Sequence, residues 1–564
     1  MIFAYPDNVV TRILACHRAF WNGCTVDSLK SACVSICDAN GGLFILRRHS
    51  VKSTIHNSSW DCLFGERRNR TRLVICLVIV AGFFFFPRLP FFLYYPMPIT
   101  AHDTASYLPP LEKLEHGTLP TFELRTPGYP LFWWLCRKIM ARALFVIYVQ
   151  NAITFFSTTL ILLLLSRYSP QFMVPATFAL CIFISSPTHL TMDMSLLTES
   201  IYVNSMLLFF VSLYLVLRTY KTFFATVTSL LGAAAIYIRP NASFLIPVLV
   251  IVVLILLRRH WKKVALGLVV PITLALAGLL CYNALTIQLL TLTDGGDRAM
   301  LWSTAVYLEP DPALPDEINQ AIVSKSASIS PSDKNVILNS WNLFAFQLAM
   351  ERNIQHSIVP IARIMGGPES DHRAYLKQRR LCRQIYQTAI RQHPEVYIKN
   401  FLAAIILYFT ELGNSGCGDF YNVFPARQYL ITFVDRTDYV SALKTYYNPK
   451  PPSLTLMATP HRLTELYSKY TRVRALLFDN MLFMAPVIFW LILSVVHLMR
   501  RGDSFTGSFF VLLMILCLLC HAVLCAAFGH IEKRYTYTLD FVNYLLFALT
   551  PFAFYPKRVK IPRQ

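Results

Sequence analysis

Apolar runs of about 20 residues recur along this chain, and that length leaves few folds open to it. A helix of 20 residues is about 30 Å long, the thickness of a bilayer's hydrocarbon core. Inside lipid every backbone N–H and C=O needs an internal partner, so a chain of such runs crosses as helices. The runs fall near 73–94, 143–166, 171–187, 195–217, 222–238, 241–257, 264–285, 475–498, 507–528 and 535–555. The expected fold is all-α, a polytopic helical membrane protein with about ten transmembrane helices. Charged residues make up 15% of the chain, against about a quarter in soluble domains. A soluble enzyme is thereby excluded.

The net charge of +21 ordinarily points to nucleic acid or an anionic surface. Position decides between them. Arg47, Arg48, Lys52, Arg67, Arg68, Arg70 and Arg72 precede the first run; Arg258, Arg259, Lys262 and Lys263 lie between two later ones. Arg500 and Arg501 follow another, and Lys557, Arg558, Lys560 and Arg563 lie at the C-terminal end. Ten crossings starting inside return all these clusters to the cytoplasm, as the positive-inside rule requires. The partner is then the membrane, with no nucleic acid. The opposite side receives 95–142, 188–194, 286–474 and 529–534.

Four regions follow. Residues 1–72 read as a poorly ordered cytoplasmic extension without a signal-peptide core. Residues 73–285 form an N-terminal transmembrane catalytic module with its first outer loop at 95–142. Residues 286–474 are an outer loop region with amphipathic stretches at 316–325 and 373–392 and turn signals at Asp294-Gly-Gly-Asp297 and Gly366-Gly-Pro368. Residues 475–564 hold the last helices and a basic tail.

Two apolar segments fit no crossing. Residues 128–140 are too short and read as a re-entrant or interfacial helix anchored by Trp133 and Trp134. Residues 396–412 read as a helix lying on or dipping into the outer leaflet, because a crossing there would turn the later Arg clusters outward.

The 14 cysteines form no disulfide framework. Cys33-x3-Cys37 is loose spacing for zinc and lacks a matching second pair. No P-loop, G-x-G-x-x-G or H-E-x-x-H occurs, so no nucleotide cofactor is expected.

The outer loops carry the candidate chemistry. Asp103, in His102-Asp103-Thr-Ala-Ser-Tyr107, reads as a general base or cation ligand, or as a helix N-cap. Arg125 opens the turn Arg-Thr-Pro-Gly-Tyr129-Pro and suits a lipid phosphate, or snorkels at the headgroups. Asp193 and Glu199 flank the start of the fourth run, and Glu199 either joins Asp103 in a divalent-metal site or complements the helix dipole. Arg239-Pro240 breaks the chain between two runs at the same face, where Arg239 leans into a central cavity or snorkels at the headgroups. Glu532, Lys533, Arg534 and Tyr535 sit in the last outer hairpin, as headgroup contacts or as a surface ion pair.

In their order along 73–555 these motifs resemble the C-type (GT-C) integral membrane glycosyltransferases, the group of the protein O-mannosyltransferases and the lipid A aminoarabinose transferase. The elements are His102-Asp103-x3-Tyr107-Leu, Arg125-Thr-Pro-Gly-Tyr129-Pro, Leu-Leu-Thr-Glu199-Ser, Ile-Arg239-Pro and Glu532-x-Arg534-Tyr535. The resemblance implies a polyprenyl-phosphate-linked sugar donor and inverting transfer to a glycan, lipid or protein acceptor. It implies Asp103 as catalytic carboxylate, Glu199 or Asp193 as second acid, and a divalent metal ion on Asp103 and Glu199. Arg125 would meet the donor phosphate, with Arg239, Arg534 and Lys533 sharing that role. His102, Tyr107, Tyr129, Asp193, Glu532 and Tyr535 would line the substrate pocket. The layout suggests a bacterial plasma membrane, with the site facing the exterior. The first loop has one acid where several relatives have two. A lipid-linked glycan flippase and an O-antigen ligase or polymerase are the alternatives.

Overall fold

The computed structural model describes residues 67–94, 102–118, 120, 126–258, 261–292, 295–365, 372–411, 485–499 and 505–527, together with 539, 542 and 544–546. All of them belong to one unit, Phe64–Gln564, and its described elements are helical. Within the described residues, six helices are long and apolar enough to cross a membrane. They correspond to the runs at 73–94, 143–166, 195–217, 241–257, 264–285 and 507–528.

The first is α1 (Arg67–Tyr94), which takes in Arg67 to Arg72, residues assigned from sequence to the polar extension. A 3-10 turn (His102–Tyr107) leads into α2 (Leu108–Glu115), and α3 (Gly128–Ile139) follows. Next come α4 (Ala143–Tyr168), α5 (Met173–Ile184), α6 (Pro187–Asp193) and α7 (Glu199–Thr219). Then α8 (Thr222–Ile238), a 3-10 turn (Pro240–Phe244), α9 (Leu245–Arg258) and α10 (Lys262–Thr286) complete the series. The runs at 171–187 and 222–238 give shorter apolar helices, Pro170–Ile184 and Thr222–Ile238. Of the run at 475–498 the structure describes α17 (Ala485–Met499), while α18 (Phe505–Ala527) is the sixth long helix.

Helix α7 is the central span, with 83% of its apolar window buried, whereas α10 has 28% and turns Leu266, Val270 and Leu274 outward. Small side chains let α8 and α10 approach: a Cβ on Gly267 would lie 3.2 Å from Ala225 Cβ, the close packing that stands in for hydrophobic drive in lipid. Pro271 interrupts α10, since it cannot donate and its ring crowds the preceding turn. Ser229 of α8 repairs the gap: its Oγ donates to Leu268 O at 2.6 Å and accepts from Ile272 N at 2.9 Å.

The segment 128–140 is helical as expected, but its packing corrects one expectation. Tyr129, Pro130, Trp133 and Cys136 share a buried face against α2, α4 and α8, and Trp133 is 1% exposed. Trp133 is therefore a core residue rather than an interfacial anchor. The outward face belongs to Leu131, Leu135 and Ile139. Gly128 permits the approach to α8, because a Cβ there would sit 2.5 Å from Tyr237 O.

Beyond α10 a second hydrophobic core gathers residues from Leu301 to Ala403. Its helices are α11 (Gly295–Thr304), α12 (Asp316–Ser328), α13 (Pro331–Asn339), α14 (Leu343–Met365), α15 (His372–Gln392) and α16 (Pro394–Glu411). Of the turn signal at Asp294-Gly-Gly-Asp297, residues 295–297 open α11, with Asp297 in its first turn; Asp294 and the signal at Gly366-Gly-Pro368 lie outside the described residues. Helix α16 packs along α18, where Tyr397 Oη donates to Ala527 O at 3.1 Å. Lys399 is buried in α16, and its ammonium caps the C-terminal end of α13 by donating to Ile337 O and Leu338 O at 3.0 and 2.7 Å.

Candidate functional site

Helices α7 and α8 are packed neighbours joined by a short turn, so the start of α7 and the end of α8 lie at one end of the bundle. Several long-range bonds gather there. Thr104 Oγ1 donates to Leu196 O at 3.1 Å, and Thr126 Oγ1 donates to Ile238 O at 2.9 Å. Tyr282 Oη donates to Pro120 O at 2.5 Å. The segment between α1 and α3 is thus fastened to the entries of α7 and α9 and to the end of α10.

At this end Glu199 and Arg239 meet. Arg239 Nη1 lies 3.1 Å from Glu199 Oε1, with the side chains 10% and 2% exposed. Thr198 Oγ1 donates to Glu199 Oε2 at 3.1 Å. The geometry follows from the sequence locally: Glu199 opens α7, where an acid complements the helix dipole, and Arg239 ends α8 because Pro240 cannot extend it. Two residues 40 apart in number become an ion pair with little water around it.

Arg239 also stands over the Tyr202 ring, its Cζ 5.7 Å from the centroid. Tyr202 is fully buried, and its hydroxyl has no hydrogen-bond partner among the described residues. Close by, Tyr408 Oη and His521 Nδ1 are hydrogen-bonded at 2.7 Å, and Cys525 Sγ lies 3.6 Å from His521 Nε2. Helix α16 thereby brings Tyr408 against α18.

Asp193 has a different setting. It is fully buried, and its carboxylate is surrounded: Arg88 Nη2 at 2.5 Å, Thr154 Oγ1 at 3.1 Å, Ser200 Oγ at 2.6 Å and His189 Nε2 at 3.4 Å. Arg88 in turn donates to Asn151 Oδ1, Phe84 O and Ile184 O. Burial pushes the His189 imidazole down from 6.5 to about 4; Asp193 draws it up and Arg88 pushes it down. Tyr107 and Tyr129, both buried, pack edge to face with centroids 5.0 Å apart. Tyr129 Oη donates to Gln150 Oε1, and Gln150 Nε2 donates to Ser195 O. Both tyrosines therefore belong to the scaffold under the loop that leads to Glu199.

The sequence candidates divide accordingly. Glu199 and Arg239 come together; Asp193, Tyr107 and Tyr129 join a neighbouring buried network. His102 and Asp103 lie in the 3-10 turn His102–Tyr107, whose backbone alone is described for them. Arg125, Glu532, Lys533, Arg534 and Tyr535 lie outside the described residues. Sequence reading passed over Arg88, Gln150, His189, Tyr202, Tyr408 and His521. Arg88 carried a signal, since an arginine within an apolar run needs a buried partner. Gln150 and Tyr202 carried none.

For a divalent cation, the described part of the site is a poor cage. Glu199 already faces a guanidinium and a hydroxyl, and among the described residues no three His, Cys, Asp or Glu side chains converge on one point. No family model, curated protein or solved structure matches the chain.

Proposed function

We propose that this membrane protein is a glycosyltransferase that moves a sugar from a polyprenyl-phosphate donor to an acceptor hydroxyl. The observation that carries the reading is the buried Glu199–Arg239 pair, set where Thr104 and Thr126 fasten the first outer loop. Asp103 precedes Thr104 in the chain and Arg125 precedes Thr126. On this reading Asp103 is the acid–base group and Arg125 with Arg239 the phosphate site, drawn from the first outer loop and from the break at Pro240.

In the reaction the acceptor oxygen attacks the anomeric carbon with inversion while the bond from that carbon to the phosphate oxygen breaks. The bonding electrons leave with the polyprenyl phosphate, and the acceptor's proton passes to Asp103. Arg125 and Arg239 stabilise the charge that grows on the leaving phosphate, in a site where little water must reorganise. Glu199 keeps Arg239 in place through its 3.1 Å contact. The held geometry lowers the entropy cost of bringing sugar and acceptor into line. The wider reading has ten crossings of a bacterial plasma membrane, the site facing the exterior and the acceptor a glycan, lipid or protein.

The test is Asp103→Asn in the full-length chain, with membrane level checked and envelope glycans measured by mass spectrometry. Loss of a general base slows transfer by about 100- to 10,000-fold, so the product should disappear. Full glycan transfer by Asp103→Asn at normal protein level sinks the reading.

A further inference from the structure

We propose that α15 and the arginines it gathers around Asp297 bind the phosphate groups of anionic lipid at the bilayer surface. The helix carries Arg373, Lys377, Arg379, Arg380, Arg383 and Arg391 and no Asp or Glu. Gln378, Cys382, Ile385 and Ala389 form its buried face. The 3–4 spacing then sets Lys377, Arg380 and Arg391, with Gln384 and Gln387, along the exposed face.

At the edge of this stripe a guanidinium cluster is already assembled. Asp297 Oδ2 accepts from Arg379 Nε at 2.7 Å and from Arg383 Nη2 at 3.2 Å, and Tyr386 Oη donates to Oδ1 at 3.3 Å. Arg298 Nη2 donates to Oε1 of Gln378, the residue before Arg379, at 2.8 Å. Two guanidiniums therefore stand on one carboxylate with a third on the neighbouring Gln378, and their positive charge exceeds what Asp297 offsets. The Arg383 side chain is 52% exposed, so part of its five-donor fork is open to an incoming oxygen. Fixed, crowded arginines suit a phosphate better than a lone lysine does, because the forks are oriented before the anion arrives.

The position of α15 argues for lipid as the source of that phosphate. Only His393 separates it from α16, and Tyr397 of α16 bonds the last residue of the apolar helix α18, Ala527. That bond sets the start of α16 beside the C-terminal end of α18, a helix long and apolar enough to cross a membrane. Ile398, Leu402 and Ile406 then run exposed down α16 at four-residue spacing. A cationic helix adjoining an exposed apolar stripe is the pattern of surfaces that rest on anionic headgroups. The inference is independent of transfer chemistry, since it concerns a different region and is read by binding.

The full-length protein in neutral detergent is titrated with short-chain phosphatidylglycerol, phosphatidylcholine or inorganic phosphate, and bound ligand is counted by native mass spectrometry. Phosphatidylglycerol should bind at least about 10-fold tighter than phosphatidylcholine and weaken with salt. The triple variant Lys377→Gln, Arg380→Gln, Arg391→Gln should lose on the order of 100-fold, as three surface cations imply. Arg380→Glu alone, at an exposed position on the polar face, should lose on the order of 10-fold or more. Equal binding of the two lipids, or unchanged affinity in both variants, overturns the proposal. Inorganic phosphate occupying the site as readily as phosphatidylglycerol overturns the assignment to lipid.

Discussion

Two buried ion pairs stand close together in this protein and are built differently. Arg88–Asp193 is wrapped on all sides: Thr154, Ser200 and His189 surround the acid, and Asn151 with two backbone carbonyls takes the other donors of the base. Glu199–Arg239 lies at a junction of loops, retains slight exposure, and adjoins a buried Tyr202 hydroxyl with no described partner. The first pair joins α1, α4, α6 and α7. Beside the second, the Tyr202 hydroxyl has no hydrogen-bond partner among the described residues. Burial and charge are common to both pairs; what differs is that the first draws its partners from packed helices and the second lies where loops meet.

The comparison can be broken most directly by removing one charge from each pair. Asp193→Asn leaves Arg88 buried without its counter-ion and should cost about 3–5 kcal/mol in thermal unfolding. Arg88→Gln together with Asp193→Asn should recover part of that loss, and strict additivity of the two changes would show that the pair is not coupled. Glu199→Gln should instead act mainly on glycan transfer, lowering it by about 100-fold or more as Arg239 loses its alignment. A large stability loss with transfer per folded molecule intact would place Glu199 with the structural pair.

A pH titration sharpens the same contrast. His189 has its folded pKa lowered to about 4 from 6.5, so between those values the unfolded chain binds more protons. Its contribution is complete above pH 6.5 and is lost as pH falls through 4. The loss is about 3 kcal/mol at pH 4 and below, by linkage. His189→Gln should flatten stability across that window; an unchanged acid limb would remove His189 from the network.

Smaller effects probe the scaffold around the second pair. Gly128→Ala places a Cβ 2.5 Å from Tyr237 O and should cost about 1–3 kcal/mol as α3 shifts from α8. Unaltered melting would mean that the backbone there yields freely.

Much of the helix inventory was legible because hydropathy is summed along the chain. The runs at 143–166, 195–217 and 264–285 appear as α4, α7 and α10 within a few residues. Starts were legible where one residue enforces them, as with Glu199 in a first turn and Pro240 after Arg239. Trp133 was not legible. Its neighbours Leu131 and Trp134 are equally apolar, and only the packing of α3 against α4 and α8 chose which face turned inward. Asp294-Gly-Gly-Asp297 misled for a related reason, since glycines that favour a turn in isolation are held in α11 by Asp297's bonds to α15.

By itself the sequence determined that this chain lies in a membrane, that it crosses as helices, and that its ionisable residues cluster near helix ends. Those are consequences of apolar length and of the cost of charge in hydrocarbon, both local to a segment. Tertiary structure alone decided that Asp193 belongs with Arg88, 105 residues away, and that Glu199 belongs with Arg239. A carboxylate's role depends on which donors reach it, and those donors come from helices whose contacts no single stretch of sequence encodes.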